Sequence, residues 1–150
     1  MLNIHRIGFR LMLALVMLFG VNYAYAEQSQ LRVIVNDNVK VNSLSESSVR
    51  WIFSMRQTTW EDGSAIKVYV LHQQDPAHQN FCKDVLSMFP YQLERTWNKL
   101  AYSGLGEKPT LVRDSQEMID MVSQEPGAIG YVLSTSLPPN LHVLQISKEG

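Results

Sequence analysis

Two histidines and an acid recur at intervals of three residues, as His72, Asp75 and His78. Imidazole and carboxylate groups are zinc ligand types, but this spacing matches no established metal motif. Asp75 also stands directly before Pro76, and an acid followed by proline is typical of a helix start. We therefore predict no metal and no cofactor. We interpret the histidines as loop and helix-surface side chains, with His78 available as a local cation.

No pattern of nucleophilic catalysis is present. The chain lacks a G-x-S-x-G turn, and Cys82, its only cysteine, has no histidine at a known catalytic spacing. Cys82 follows Phe81 in an amphipathic segment, which favours a buried thiol over the alternative, an intermolecular disulfide. The glycine-rich run 103–106 predicts a helix end at Gly104 better than a nucleotide loop. We predict that the protein is not an enzyme.

The N-terminus has the organisation of an export signal. Arg6 and Arg10 precede the uncharged run 11–21, and an A-x-A cleavage pattern ends at Ala26. The run is shorter than the ~20 residues of a membrane span. We expect residues 1–26 to be a cleaved signal peptide that directs the chain to the periplasm, with no stable membrane anchor afterwards. An uncleaved anchor helix is the alternative.

Residues 27–150 are expected to form a single domain. The formal net charge of the whole chain is −1, and no basic stripe interleaved with aromatic residues occurs, so no nucleic-acid partner is expected. Strand-like runs alternate with amphipathic segments, which predicts an α/β three-layer domain with a mixed, mostly parallel sheet. The predicted strands are Leu31–Val35, Ile66–Leu71, Thr110–Arg113, Ala128–Val132 and Leu141–Ile146. The predicted helices begin after Ser45, Asp75 and Asp114, and another, continuing after Pro90, ends at Gly104.

The clearest local unit is the helix, turn and strand around Pro126-Gly127. Pro and Gly supply the two special dihedrals of a turn, and the strand from Ala128 follows at once. Gly130 within this strand predicts close approach of backbone or ligand. In the earlier strand, we expect the face with Lys67, Tyr69 and Leu71 to be partly exposed.

Several segments resemble one family in the right order. They are Asn42–Ser45, Trp51–Phe53, Trp60–Gly63, Trp97–Gly106 with Pro109, and Pro126–Val132. Together they resemble bacterial phosphate-binding-protein-like periplasmic proteins, over about Val33 to Val143. The resemblance implies one lobe of a type II periplasmic-binding-protein fold. Full-length members of the family hold an oxyanion in the cleft between two such lobes.

The sequence departs from this family at the anion-binding loop. By resemblance, Leu71 stands at the position of an arginine, and Asp75-Pro76-Ala77 stand where Ser-Gly-Thr is expected. Pro76 lacks an N–H group, and Asp75 brings a carboxylate to the anion position. Two like charges at contact distance repel by about 4 kcal/mol at an effective dielectric near 20. Tight phosphate binding by the family mechanism is therefore disfavoured.

These observations predict an exported, non-enzymatic ligand-binding or sensor domain, accessory to phosphate uptake or sensing. A small oxyanion such as phosphate is the ligand that the resemblance implies. The alternative is a periplasmic interaction module that docks a partner protein or forms a homodimer. Ligand-binding residues are predicted at the cleft-facing loops: Arg56, His72, Gln73, Asp75, His78, Arg113 and Ser115.

Overall fold

The computed structural model describes residues 29–134 and 136–148. The predicted signal peptide lies outside the described residues and stays a prediction. The strands are β1 (Gln30–Asn36), β2 (Ser43–Ser45), β3 (Lys67–Val70), β4 (Thr110–Leu111), β5 (Ala128–Ser134), β6 (Leu141–Val143) and β7 (Gln145–Ser147). The helices are α1 (Glu46–Phe53), α2 (Pro76–Asp84), α3 (Pro90–Ser103) and α4 (Ser115–Gln124).

The central sheet is mixed, with four of its strands pointing the same way. Its order is β4-β3-β5-β1-β6. β3 pairs parallel with both β4 and β5, whereas β1 is antiparallel to both of its neighbours, β5 and β6. A separate parallel pair joins β2 to β7. The prediction of a mixed, mostly parallel sheet is confirmed.

Helices cover both faces of this sheet. Consecutive residues of a strand point to opposite faces, and β5 shows what lies on each side. At Gly130 an added Cβ would meet Met118 and Val122 of α4. At Tyr131 the ring stacks on Phe81 of α2, with 4.0 Å between centroids. Phe53 of α1 packs against the same two rings. The predicted three-layer arrangement is therefore confirmed.

Two expectations about side-chain environment are met only in part or corrected. On the second face of β3, Lys67 is exposed as expected, but Tyr69 and Leu71 are only 5% and 1% exposed. A central strand with helices on both faces is buried on both. The close approach at Gly130 comes from the Met118 and Val122 side chains rather than from backbone or a ligand.

Two element boundaries also differ from the pattern. The apolar residues Phe81, Val85, Leu86 and Met88 predict that this helix continues to Met88. Instead, α2 ends at Asp84, and Ser87 has a positive φ of 51°. The terminal strand divides at Leu144, so that β6 joins the central sheet and β7 joins β2. Leu144 itself donates its N–H to the Val33 carbonyl at 2.9 Å. The backbone thus changes sheets without losing this contact with β1.

The turn before β5 is fixed by contacts distant in sequence. Gly127 has a φ of 78°, as the Pro-Gly pattern predicts. Its N–H donates to Asn38 Oδ1 at 2.9 Å, and its carbonyl accepts from Trp60 Nε1 at 3.0 Å. Trp60 is therefore a structural residue.

Within the described part of the chain, no helix has the length and apolar character needed to cross a membrane.

Candidate functional site

A pocket opens where β3 and β4 end. Leu71 directly follows β3, Leu111 is the last residue of β4, and α3 forms the opposite wall. Its volume is about 270 Å³. We call it the cleft pocket, and its lining residues are Leu71, His72, Gln73, Gln74, His78, Pro90, Glu94, Trp97 and Leu111. This set contains no arginine or lysine.

A buried hydrogen-bond chain lies behind the cleft pocket. The Leu71 N–H donates to Tyr131 Oη at 2.9 Å, and Tyr131 Oη lies 2.5 Å from His78 Nδ1. His78 is only 2% exposed, so the expectation of a helix-surface histidine available as a cation is wrong. Burial lowers the pKa of His78, although the nearby Asp75 carboxylate acts in the opposite direction. The imidazole is therefore neutral near pH 7, and its Nδ1 accepts a hydrogen bond from the Tyr131 hydroxyl.

The chain continues to Cys82. His78 Nε2 lies 3.4 Å from Cys82 Sγ, one helical turn along α2. In the neutral tautomer that accepts from Tyr131, Nε2 carries the proton and faces the sulfur. Burial raises the pKa of the Cys82 thiol to about 12, so the thiolate needed for nucleophilic attack is scarce. The predicted burial of Cys82 is confirmed.

The N-terminus of α2 is closed by its own cap. Asp75 is the N-cap residue, and its carboxylate accepts the Ala77 N–H at 2.8 Å. Pro76 occupies the first helical position and has no N–H to offer. Of the first two helical residues, whose N–H groups a helix start can present to an anion, Pro76 has no donor and the Ala77 N–H is bound to the Asp75 carboxylate.

The N-terminus of α4 also carries a carboxylate cap. The Asp114 carboxylate accepts the Glu117 N–H at 2.9 Å. Glu117 Oε2 in turn accepts the Arg113 N–H at 2.6 Å and Arg113 Nε at 3.1 Å. The backbone and side-chain hydrogen bonds from Arg113 lower the pKa of Glu117. Arg113 is thus engaged by a carboxylate, and the neighbouring Ser115 opens a helix that already has its cap.

The structure brings together only part of the predicted ligand set. His72, Gln73 and His78 line the cleft pocket, and Asp75 caps the helix beside it. Arg56 is exposed just beyond α1, and Arg113 and Ser115 belong to the α4 cap, so none of these three lines the pocket. Ligand binding by any of these residues stays a prediction.

Sequence reasoning missed the wall that α3 contributes. Pro90, Glu94 and Trp97 line the cleft pocket and share one face of the helix, since they are separated by four and three residues. The Trp97 indole donates to the Phe53 carbonyl at 2.7 Å, which anchors α3 against α1. The sequence predicts this helix from its apolar spacing. That spacing does not show that α3 packs across the ends of β3 and β4.

An apolar ledge adjoins the cleft pocket. Phe89 and Tyr91 are 64% and 52% exposed, and their rings stack with 5.8 Å between centroids. With Met88 and Pro90 they form what we call the aromatic shelf. It borders a second depression, which shares Gln73, Gln74 and Pro90 with the cleft pocket.

Over residues 29–134 and 136–148, no group of three or more His, Cys, Asp and Glu side chains is placed to hold a metal ion.

Comparison with solved structures shows what fold this is. No family model and no curated protein matches the chain. A phosphate ABC transporter substrate-binding protein with bound phosphate from Clostridium perfringens matches at TM-score 0.61 and 14% identity. An ABC-type phosphate transport receptor from Vibrio cholerae gives the same two values. PstS from Borrelia burgdorferi matches at TM-score 0.57 and 17% identity.

These matches cover most of this chain but less than half of each neighbour. Each spans 77% of the chain, and the corresponding shares of the neighbours are 44%, 45% and 46%. The identities are low, so the likeness concerns the fold. It agrees with the architecture that the sequence resemblance implied. The chain therefore has the α/β fold of phosphate-transporter substrate-binding proteins, over a span equal to less than half of such a protein.

Proposed function

We propose that the protein is a non-enzymatic ligand-binding or sensor domain whose small ligand occupies the cleft pocket. The observation that carries this proposal is the position of the pocket at the ends of the parallel strands β3 and β4. In open α/β sheets, ligands bind outside the carboxyl ends of the strands. The fold is shared with proteins named for substrate binding, which supports binding as the role.

An accessory role in phosphate uptake or sensing is the finer form of this proposal, and it requires an oxyanion to bind. The described residues around the pocket include few groups that could bind an oxyanion. Carboxylates occupy the N-termini of both α2 and α4, and the cleft pocket has no arginine or lysine. We therefore propose that phosphate is bound weakly, because the Asp75 carboxylate caps α2 beside the pocket and no arginine or lysine lines it.

Titration calorimetry of the purified protein with phosphate and sulfate at low salt tests this. We expect no binding at micromolar concentrations, and a micromolar Kd would overturn our interpretation of Asp75. The variant Asp75→Ser keeps a side-chain cap for α2 but removes the charge. It should bind phosphate more tightly than the wild type. The matched control Asp84→Asn removes an exposed carboxylate at the other end of α2 and should change nothing.

Export to the periplasm is part of the proposal and rests on the sequence of residues 1–26. Mass spectrometry of the protein from a periplasmic fraction should find a chain that begins at Glu27. A chain that begins at Met1 and stays with the membrane fraction would favour the uncleaved anchor instead.

Self-association through the aromatic shelf is the second candidate function. The observation that favours it is the exposure of Phe89 and Tyr91, because large exposed aromatic side chains are enriched where proteins meet. Sedimentation equilibrium should then show a dimer that Phe89→Ser dissociates. A monomer at all concentrations would reject a second copy as the occupant of the shelf.

A further inference from the structure

One carboxylate in the cleft pocket has no partner. Glu94 lies on the pocket face of α3 and is half-buried. Among the described residues, no hydrogen bond or ion pair involves its side chain. The other acids near the pocket differ, because Asp75 caps α2 and Glu117 binds Arg113. Within the described part of the chain, the Glu94 carboxylate thus forms no hydrogen bond or ion pair that would stabilise the fold.

The rest of the lining leaves Glu94 as the only fully charged group. His78 is neutral, and both of its ring nitrogens face other buried groups, Tyr131 and Cys82. The neighbouring loop contributes amide side chains and the exposed His72. The lining contains no arginine or lysine. Glu94 is the one acidic side chain in the lining, and the second nearby carboxylate, Asp75, caps α2 beside the pocket.

The apolar part of the lining limits the ligand further. Leu71, Leu111, Pro90 and the Trp97 ring supply carbon surface beside Glu94. The amides of Gln73 and Gln74 can donate or accept hydrogen bonds without adding charge. A volume of about 270 Å³ admits only a small solute.

We propose that the cleft pocket takes a small organic solute with a protonated amine, and that Glu94 is the residue that binds this amine. The inference rests on the proposed function and names the chemical class of its ligand. An amine would neutralise the unpartnered carboxylate, and its carbon chain would cover the apolar wall. An oxyanion would meet Glu94 with no cation opposite. The fold is thus shared with phosphate-binding proteins, and the charge preference of the pocket is reversed.

Three solutes with the same number of carbon atoms separate charge from size: cadaverine, pentanediol and glutarate. We expect cadaverine to bind the purified protein, observed by calorimetry and by a shift of the Trp97 indole N–H signal in NMR spectra. Glu94→Gln preserves the shape of the side chain and should weaken cadaverine binding by about tenfold or more, whereas Glu107→Gln, an exposed acid outside the pocket, should leave it unchanged.

The possible outcomes separate the amine preference from the proposed solute-binding function. Equal or tighter binding of pentanediol, glutarate or phosphate at the Trp97 signal would overturn the amine preference while supporting a solute site. Cadaverine binding that Glu94→Gln leaves intact would overturn the role of Glu94. Absence of any shift with all of these solutes would overturn both the inference and the proposed solute site.

Discussion

The hydroxyl of Tyr131 joins two elements by contacting His78 Nδ1 at 2.5 Å while it accepts the Leu71 N–H at 2.9 Å. Tyr131 belongs to β5, His78 to α2, and Leu71 to the segment that leaves β3. All three residues are at most 2% exposed. A single phenol oxygen therefore satisfies a backbone donor and orients an imidazole at the back of the cleft pocket.

Tyr131→Phe should destabilise the protein by about 1–3 kcal/mol, because it leaves the Leu71 N–H and His78 Nδ1 buried without their partner. Urea denaturation measures this free energy of unfolding. Tyr69→Phe is the matched control, since the Tyr69 hydroxyl makes no hydrogen bond within the described residues although its ring is buried. Equal losses in the two variants would show that the Tyr131 hydrogen bonds contribute little.

The stability of the protein should fall as the medium becomes acidic, because His78 is buried as the neutral base. Its pKa is lowered from the ordinary 6.5 by burial, so the unfolded chain takes up a proton at a higher pH than the folded chain. The unfolding free energy then decreases as pH drops below about 6.5, and stops responding to this group once the folded imidazole is also protonated.

Denaturant titrations between about pH 7 and pH 5 measure this effect. The groups facing His78 are Asp75, Tyr131 and Cys82, and only Asp75 opposes the lowered pKa. His78→Gln should flatten the pH dependence, whatever its effect on stability at neutral pH. His72→Gln removes an exposed imidazole and should leave the slope intact. An unchanged slope in His78→Gln would place the titration elsewhere.

Much of the fold was readable from local signals. The caps at Ser45, Asp75 and Asp114 and the left-handed Gly104 all stand where the sequence predicts them. These features depend on residues within one turn of each other, so a single sequence contains them. The division of the last strand at Leu144 was not readable, because it depends on which of two distant strands each half meets.

The candidate site was less predictable for the same reason. His72 and His78 belong to one loop and helix, and their closeness follows from sequence. The contact between His78 and Tyr131 joins residues 53 positions apart. Glu94 reaches the pocket only because α3 folds back over the ends of β3 and β4. The sequence predicted the Asp114 cap, but it could not show that Arg113 donates hydrogen bonds to Glu117.

Gly127→Ala should destabilise the protein more than Gly104→Ala. Both glycines have positive φ, 78° and 68°, and a left-handed conformation costs other residues about 1–2 kcal/mol. Only at Gly127 would the new Cβ also approach a backbone atom, the Ala65 carbonyl oxygen, which cannot move aside as a flexible side chain can. At Gly104 the space around the Cβ is open.

Comparing the unfolding free energies of these two variants isolates the packing contribution. Because backbone strain is similar in both, the difference reports the collision at Ala65. A loss at Gly127 no larger than that at Gly104 would mean that the turn before β5 can shift freely. The hydrogen bonds of the turn to Asn38 and Trp60 oppose such a shift.

The thiol of Cys82 should be unreactive in the folded protein. It is fully buried, and burial raises its pKa from 9.0 to about 12, so the reactive thiolate is nearly absent at neutral pH. A chromogenic disulfide reagent should label it only after denaturant is added, at a rate that follows unfolding. A non-reducing gel of untreated protein should show monomer. Rapid labelling without denaturant, or a disulfide-linked dimer, would show that α2 opens from β5 and would restore the intermolecular disulfide as an alternative.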